Sequence, residues 1–358
     1  MAIHVVMFIT AIIANAKTRL NKKTAIQICM IILFLLSALR YSVGNDYDRY
    51  SDLFDYVNKG KYSMFGTQYL YTFLNIIFPN YYFLVAFIAA AFIIASYKLI
   101  VNYLDEDYWG AAMIIYLINP YIFLMSLSTF RQTLAVVVFL GAVSFAYRRQ
   151  FVPYILLIGI AMLFHTTAIL LLPFYFIANS KKVSKLFVVI FIGLILFLLI
   201  DNSIFSYLME SALDFFDNPN YDIFYNRDGE SLANSVRATI LTGIMFAYVA
   251  LNIHKLEGKA VMCGKFTLFA LAFGILASKV AFLTRIQFYF DIFSIITIPS
   301  IIKANKEMLH PVKFEKLMNV YVLPITVFVI YGLRYISFFT NPVWKSFTTY
   351  QTLLELIK

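Results

Sequence analysis

Most of this 358-residue chain falls into apolar runs of about 15–22 residues, the length at which a helix crosses some 30 Å of hydrocarbon. That recurring length constrains the fold more than any motif does. Composition agrees with it: 62% of residues are hydrophobic, 13% are charged, and mean hydropathy is +0.79. Soluble domains carry about 25% charged residues. The sequence therefore predicts an all-α, polytopic integral membrane protein with no soluble domain. It reads as a single transmembrane domain over 1–358 with about 10–12 transmembrane helices.

Spans are expected near 2–16, 24–40, 81–104, 109–128, 132–147, 186–204, 235–254, 265–284, 286–302 and 317–337. The stretch 3–14 reads as a retained first span, since no signal-peptide cleavage pattern accompanies it. Residues 67–79 are apolar but short, and Pro79 ends them. Residues 151–178 are too long for one untilted span and read as a hairpin of two short helices turning at Phe164-His165-Thr166-Thr167.

Lysine and arginine set the orientation. With the loop 17–23 cytoplasmic, so are Lys98, Arg148, Arg149, Lys181, Lys182, Lys185 and the basic stretches 255–265 and 303–316. That places 17 of the 29 Lys and Arg inside, against 6 of the 19 acids. The net charge of +10 is thus a topology signal, and no nucleic-acid partner is expected. Cys29 and Cys263 both fall near the cytoplasmic face, so no disulfide is expected.

The same registration puts Arg40, the acidic cluster 46–55, Arg131, Gln132, His165, Arg237 and Arg285 on the outer side, from six separate parts of the chain. Outer loops are expected at about 40–66 and 206–234, with 341–358 as an interfacial segment. Within the first loop Tyr47, Tyr50, Phe54 and Val57 share one helical face while Asp48, Asp52 and Asp55 share another. This predicts a helix lying on the membrane with its aromatics among the headgroups. The run R-Y-S-V-G-N-D-Y-D-R-Y-S-D-L-F-D (40–55) is the densest charge cluster at a membrane edge. Charges at membrane depth cost about 2.5–3.5 kcal/mol each, which makes them functional candidates by default. Asp46 and Asp48 form a D-x-D pair, a weak metal signal without a His or Glu partner; no metal and no cofactor is expected.

Four elements in order carry a resemblance. R-Y-S-V-G-N-D-Y-D-R-Y (40–50), F-R-Q-T-L-A (130–135), A-M-L-F-H-T-T-A (161–168) and R-I-Q-F-Y-F (285–290), the last followed by Pro299, are similar to elements of the EpsG/Wzy-like exopolysaccharide and O-antigen polymerases. The likeness extends over about 24–300. Two departures stand out: Asn45 where the pattern has Thr, and Gln68-Tyr69 where it has an acidic residue.

The resemblance implies a GT-C-like glycosyltransferase of the bacterial inner membrane, with short re-entrant helices and periplasmic loops. Such enzymes join repeat units carried on undecaprenyl pyrophosphate at the periplasmic face. The implied partners are the lipid-linked oligosaccharide, the bilayer, a chain-length regulator and a flippase.

That reaction starts from a glycosyl pyrophosphate, already a good leaving group. The site must stabilise the departing diphosphate, assist the acceptor hydroxyl and exclude water. Guanidinium groups suit the first task, because they stay charged and present planar forks to phosphate oxygens. Arg40, Arg131 and Arg285 are the expected diphosphate ligands; the plain alternative for each is snorkelling to the headgroups. Asp46 and His165 are the candidates for assisting the hydroxyl. A histidine ordinarily titrates near neutrality, whereas a carboxylate among arginines orients a hydroxyl more than it takes its proton. Asp46 is narrowly favoured for standing in the densest cluster; helix capping is its alternative role, and satisfaction by backbone carbonyls that of His165. Gln132, Gln287, Tyr289, Tyr47 and Asp48 complete the expected sugar and phosphate contacts, with helix packing as the alternative.

The rival function is a lipid-linked oligosaccharide flippase or polysaccharide exporter, which would place its cations along a central path. Charges gathered at one face and the lack of an internal repeat favour an enzyme. An O-acyltransferase would want its histidine on the cytoplasmic side, where His165 is not expected.

Overall fold

The computed structural model describes residues 2–15, 21–60, 68–179, 183, 188, 189, 191–193, 195, 232–277, 282–308 and 312–353. Most of the expected span at 186–204 and nearly all of the outer loop 206–234 lie outside the described residues. Described helices are α1 (Ala2–Asn15), α2 (Lys22–Ala38), α3 (Tyr47–Asn58), α4 (Tyr69–Ile77), α5 (Tyr81–Tyr103), α6 (Trp109–Ile118), α7 (Phe123–Ser126), α8 (Phe130–Tyr147), α9 (Phe151–Phe164) and α10 (Phe174–Asn179). They continue with α11 (Leu232–Asn252), α12 (Lys259–Leu276), α13 (Leu283–Asp291), α14 (Ser294–Glu307), α15 (Lys313–Leu317) and α16 (Leu323–Thr340). The described sheet is one pair of two-residue strands, β1 (Arg40–Tyr41) and β2 (Gln351–Thr352), antiparallel with Arg40 opposite Thr352.

Five described stretches are long and apolar enough to cross a membrane, or six if the pair α13–α14, bent by 52°, counts as one. The protein is an all-α, multi-pass membrane protein. Several runs expected as full spans are shorter as helices. α1 and α9 have 14 residues each and α6 has 10, which at about 1.5 Å per residue gives roughly 15–21 Å. α6 stops at Ile118 because Pro120 cannot supply the next backbone donor, and the rest of the 109–128 run folds as a turn and the short α7.

Caps set other boundaries. Asn21 Oδ1 accepts from the Thr24 backbone N–H at 2.7 Å to start α2, and Asn80 Oδ1 accepts from Phe83 N–H at 3.1 Å to start α5. In the region 151–178 α9 ends at Phe164, His165 adopts extended backbone, and a 3-10 turn Thr166–Leu171 follows before α10.

The chain divides into two compact units: Met1–Tyr175 with Tyr335–Lys358, and Phe176–Arg334. In the first, α8 and α9 form an antiparallel hairpin through the tight link 148–150, so His165 returns to the end of the hairpin where α8 begins. In the second, α12 packs on α11, α13 and α14, and the Thr267 and Thr297 hydroxyls share a hydrogen bond of 2.8 Å. Cys29 and Cys263 are buried thiols, one in each unit.

The core beside the first motif is aromatic. Tyr47, Tyr50, Phe54 and Val57 of α3 pack with Tyr71, Tyr81, Phe130 and Leu134. This corrects the expectation for α3: its apolar face lies against protein, not among headgroups. Tyr50 stacks flat on Phe130, with ring centres 4.7 Å apart. Asp48, Asp52 and Asp55 are exposed on the opposite face, as the periodicity requires.

Candidate functional site

The turn between α2 and α3 docks on the corner Leu127–Ser128 that leads into α8. Three of its residues make the contact. Arg40 Nη2 donates to Leu127 O at 3.0 Å. Gly44 has φ +106, and a Cβ there would lie 2.7 Å from that same carbonyl oxygen. The backbone N–H of Asp46 donates to Ser128 Oγ at 3.2 Å, and Ser128 Oγ donates to Asp46 Oδ2 at 3.4 Å. Glycine is therefore required twice over, by the positive φ and by the approach of a second backbone. The spacing R-x3-G-x-D is the footprint of one corner of the fold.

Arg40 is 2% exposed. Its Nη1 donates to Ser37 O, and its guanidinium carbon lies 5.2 Å from the Phe130 ring centre and 5.6 Å from that of Tyr47. Among the described residues no carboxylate pairs with it, and its Nε has no hydrogen-bond partner. Carbonyl dipoles and ring faces thus carry the charge in place of a counter-ion. A small cavity with room for about one water, lined by Ser37, Ser126 and Thr133 among others, adjoins it. The Tyr47 hydroxyl closes the arrangement by donating to Arg40 O at 3.1 Å. Burial pushes that phenol well above its ordinary pKa, so it stays a neutral donor.

Asp46 and Arg131 are the half-open members. Asp46 stands at the N-cap position of α3 but makes no side-chain cap bond; its carboxylate accepts from Ser128 instead. Arg131, in the first turn of α8, donates from Nε to the Tyr50 hydroxyl at 3.4 Å and lies over the Tyr50 ring at 5.6 Å. The Asp46 carboxylate lies within Coulombic range of that guanidinium. Asp48, exposed on α3, accepts from Ser42 Oγ at 2.8 Å. Gln132 is buried. His165 is buried at the C-terminal end of α9, and the preceding Phe164 packs against the aromatic core that holds Tyr50 and Phe130. The first three motif elements thus meet at one end of the first unit.

The fourth element belongs to the second unit. Arg285 is exposed on α13. Gln287 is buried and donates from Nε2 to Asp291 Oδ2 at 2.8 Å, with Gly274 of α12 leaving room for its amide. Tyr289 is buried.

Sequence reasoning missed two participants. Ser128 reads as an ordinary polar residue before a helix; only its place three positions ahead of Arg131 hints at a role. The segment after α16 reads as interfacial, yet β2 pairs with Arg40–Tyr41. It also ties down the neighbourhood through Tyr350 Oη to Leu36 O at 2.6 Å and Leu353 N–H to Leu39 O at 2.9 Å.

The class so defined is a multi-pass helical membrane protein with an arginine-aspartate cluster where the turn before α3 meets the start of α8. The chain matches the model of the EpsG family over residues 23–352 and belongs to that family. No protein of curated function and no solved structure matches it.

Proposed function

We propose that the protein is a polysaccharide polymerase of the membrane. It transfers a growing glycan from undecaprenyl pyrophosphate onto a lipid-linked repeat unit at the periplasmic face of the inner membrane. Membership of the EpsG family supports a polymerase-type function in general. The observation that carries the finer reading is the bond between Asp46 and Ser128, 82 positions further on and three ahead of Arg131. It gathers a half-exposed carboxylate and a half-exposed guanidinium, both from motif elements of the resemblance.

In this reading Arg131 takes the charge that develops on the departing diphosphate, where a preorganised cation acts without reorganisation. Tyr50 holds the guanidinium to one side, leaving its terminal nitrogens for phosphate oxygens. Asp46, oriented by Ser128, accepts the hydrogen of the acceptor hydroxyl, and His165 is the second candidate for that proton. Arg285, with Gln287 and Tyr289, is proposed as a substrate contact on its motif alone. Arg40 acts by holding the Leu127–Ser128 corner, since its guanidinium is already taken by carbonyls and rings.

The test is in cells lacking the protein, complemented with variants. Arg131→Ala, still inserted in the membrane, should leave lipid-linked acceptor capped with single repeat units. An absence of any repeat unit would point to a flippase, and a wild-type ladder would remove Arg131 from the mechanism.

A further inference from the structure

Resting on that reading, we propose that Asn45 is a positioning residue and that residues 341–353 form a ledge on which it sets the Asp46 turn. Asn45 departs from the family pattern, and both ends of its amide are engaged. Nδ2 donates to Val343 O at 2.9 Å, and Oδ1 accepts from the Ser346 hydroxyl. The two partners are three residues apart in Pro342–Phe347, one on each side of a kink at Trp344, so one amide bridges that kink.

The turn is a firm support. Asn341 Oδ1 caps it through Val343 N–H at 3.0 Å, Trp344 stacks on Phe338 at 4.7 Å, and Phe347 is fully buried. Just beyond it, β2 pairs with β1. The family match ends at Thr352, the residue opposite Arg40.

The need for such a ledge is local. Between β1 and α3 the backbone makes no regular structure, and Ser42 at φ +50 and Gly44 at φ +106 both take positive values. A non-glycine in that region is strained and persists only where its surroundings over-determine it. Ser128 holds Asp46 from one side and the ledge holds Asn45 from the other. Asn45 does not touch the reacting groups in this account; it fixes where the neighbouring carboxylate points.

The test uses the full-length protein in nanodiscs, with lipid-linked repeat units extracted from cells that lack it. Two variants are compared: Asn45→Ala, and a chain ending at Thr349, which removes β2 and the Tyr350 and Leu353 bonds. Misplacing a reacting group by about 1 Å can cost up to about 100-fold. Each variant should lose about 5- to 20-fold in kcat while KM stays within about twofold. The unfolding temperature of Asn45→Ala should be unchanged. If the shortened chain fails to insert, Asn45→Ala decides alone. A kcat within about twofold of wild type, or a loss carried by KM, overturns the positioning role. A wild-type protein with no polymerase activity overturns the functional reading instead, so the two failures are distinguishable.

Discussion

Two arginines drawn to one corner have opposite fates. Arg40 is enclosed and Arg131 is half-open, so substitution should separate their roles. Arg40→Ala strands the carbonyls of Ser37 and Leu127, each costing about 1–3 kcal/mol when buried without a donor. The variant should unfold at a distinctly lower temperature in detergent, with activity lost only as folded protein is lost. Arg131→Ala should leave that temperature nearly unchanged and cut turnover about 100- to 1000-fold, the usual effect of removing one charge-stabilising donor. Gly44→Ala must accept positive φ and a backbone oxygen at 2.7 Å, so it should destabilise by about 2 kcal/mol or more in the same unfolding assay. The residues of this site were legible in sequence because charge is rare in such a chain and motif order singled them out. Their roles were not. Nothing in the letters R-Y-S-V-G-N-D says that one arginine faces carbonyls, or that the aspartate answers to a serine far along the chain.

At the scale of elements, α3 shows what periodicity reads well and what it reads badly. The alternation of aromatic and acidic faces identified the correct buried side, but periodicity is blind to whether that side meets lipid or protein. Here it meets Phe130, Tyr71 and Tyr81. Phe54→Ala should therefore behave as a core deletion, costing about 3–5 kcal/mol in an unfolding assay. Asp52→Asn on the exposed face should fall within about 0.5 kcal/mol of wild type. The break after Phe164 was readable from the length of the apolar run, since 151–178 exceeds one untilted span. The pairing of β2 with β1 was not, because two-residue strands leave no pattern.

The whole molecule presents two units, and the first carries Asp46, Arg131 and His165. Hydropathy named the class of the fold but did not separate full-length spans from shorter helices, since an apolar run is also what a short buried helix such as α6 looks like. Orientation rests on lysine and arginine placement and is open to direct labelling. Asn58 and Glu106 are exposed on either side of the 23-residue α5. A membrane-impermeant maleimide added outside intact inner-membrane spheroplasts should label Asn58→Cys and spare Glu106→Cys; the native thiols are buried. The reverse pattern would put the Asp46–Arg131 cluster on the cytoplasmic side. The most direct test of the central claim is polymerisation by the purified protein on lipid-linked repeat units, resolved by chain length. Wild type should give a ladder, and Arg131→Ala and Asp46→Ala at equal protein should give single units; ladders of wild-type length from both variants would remove this cluster from the reaction.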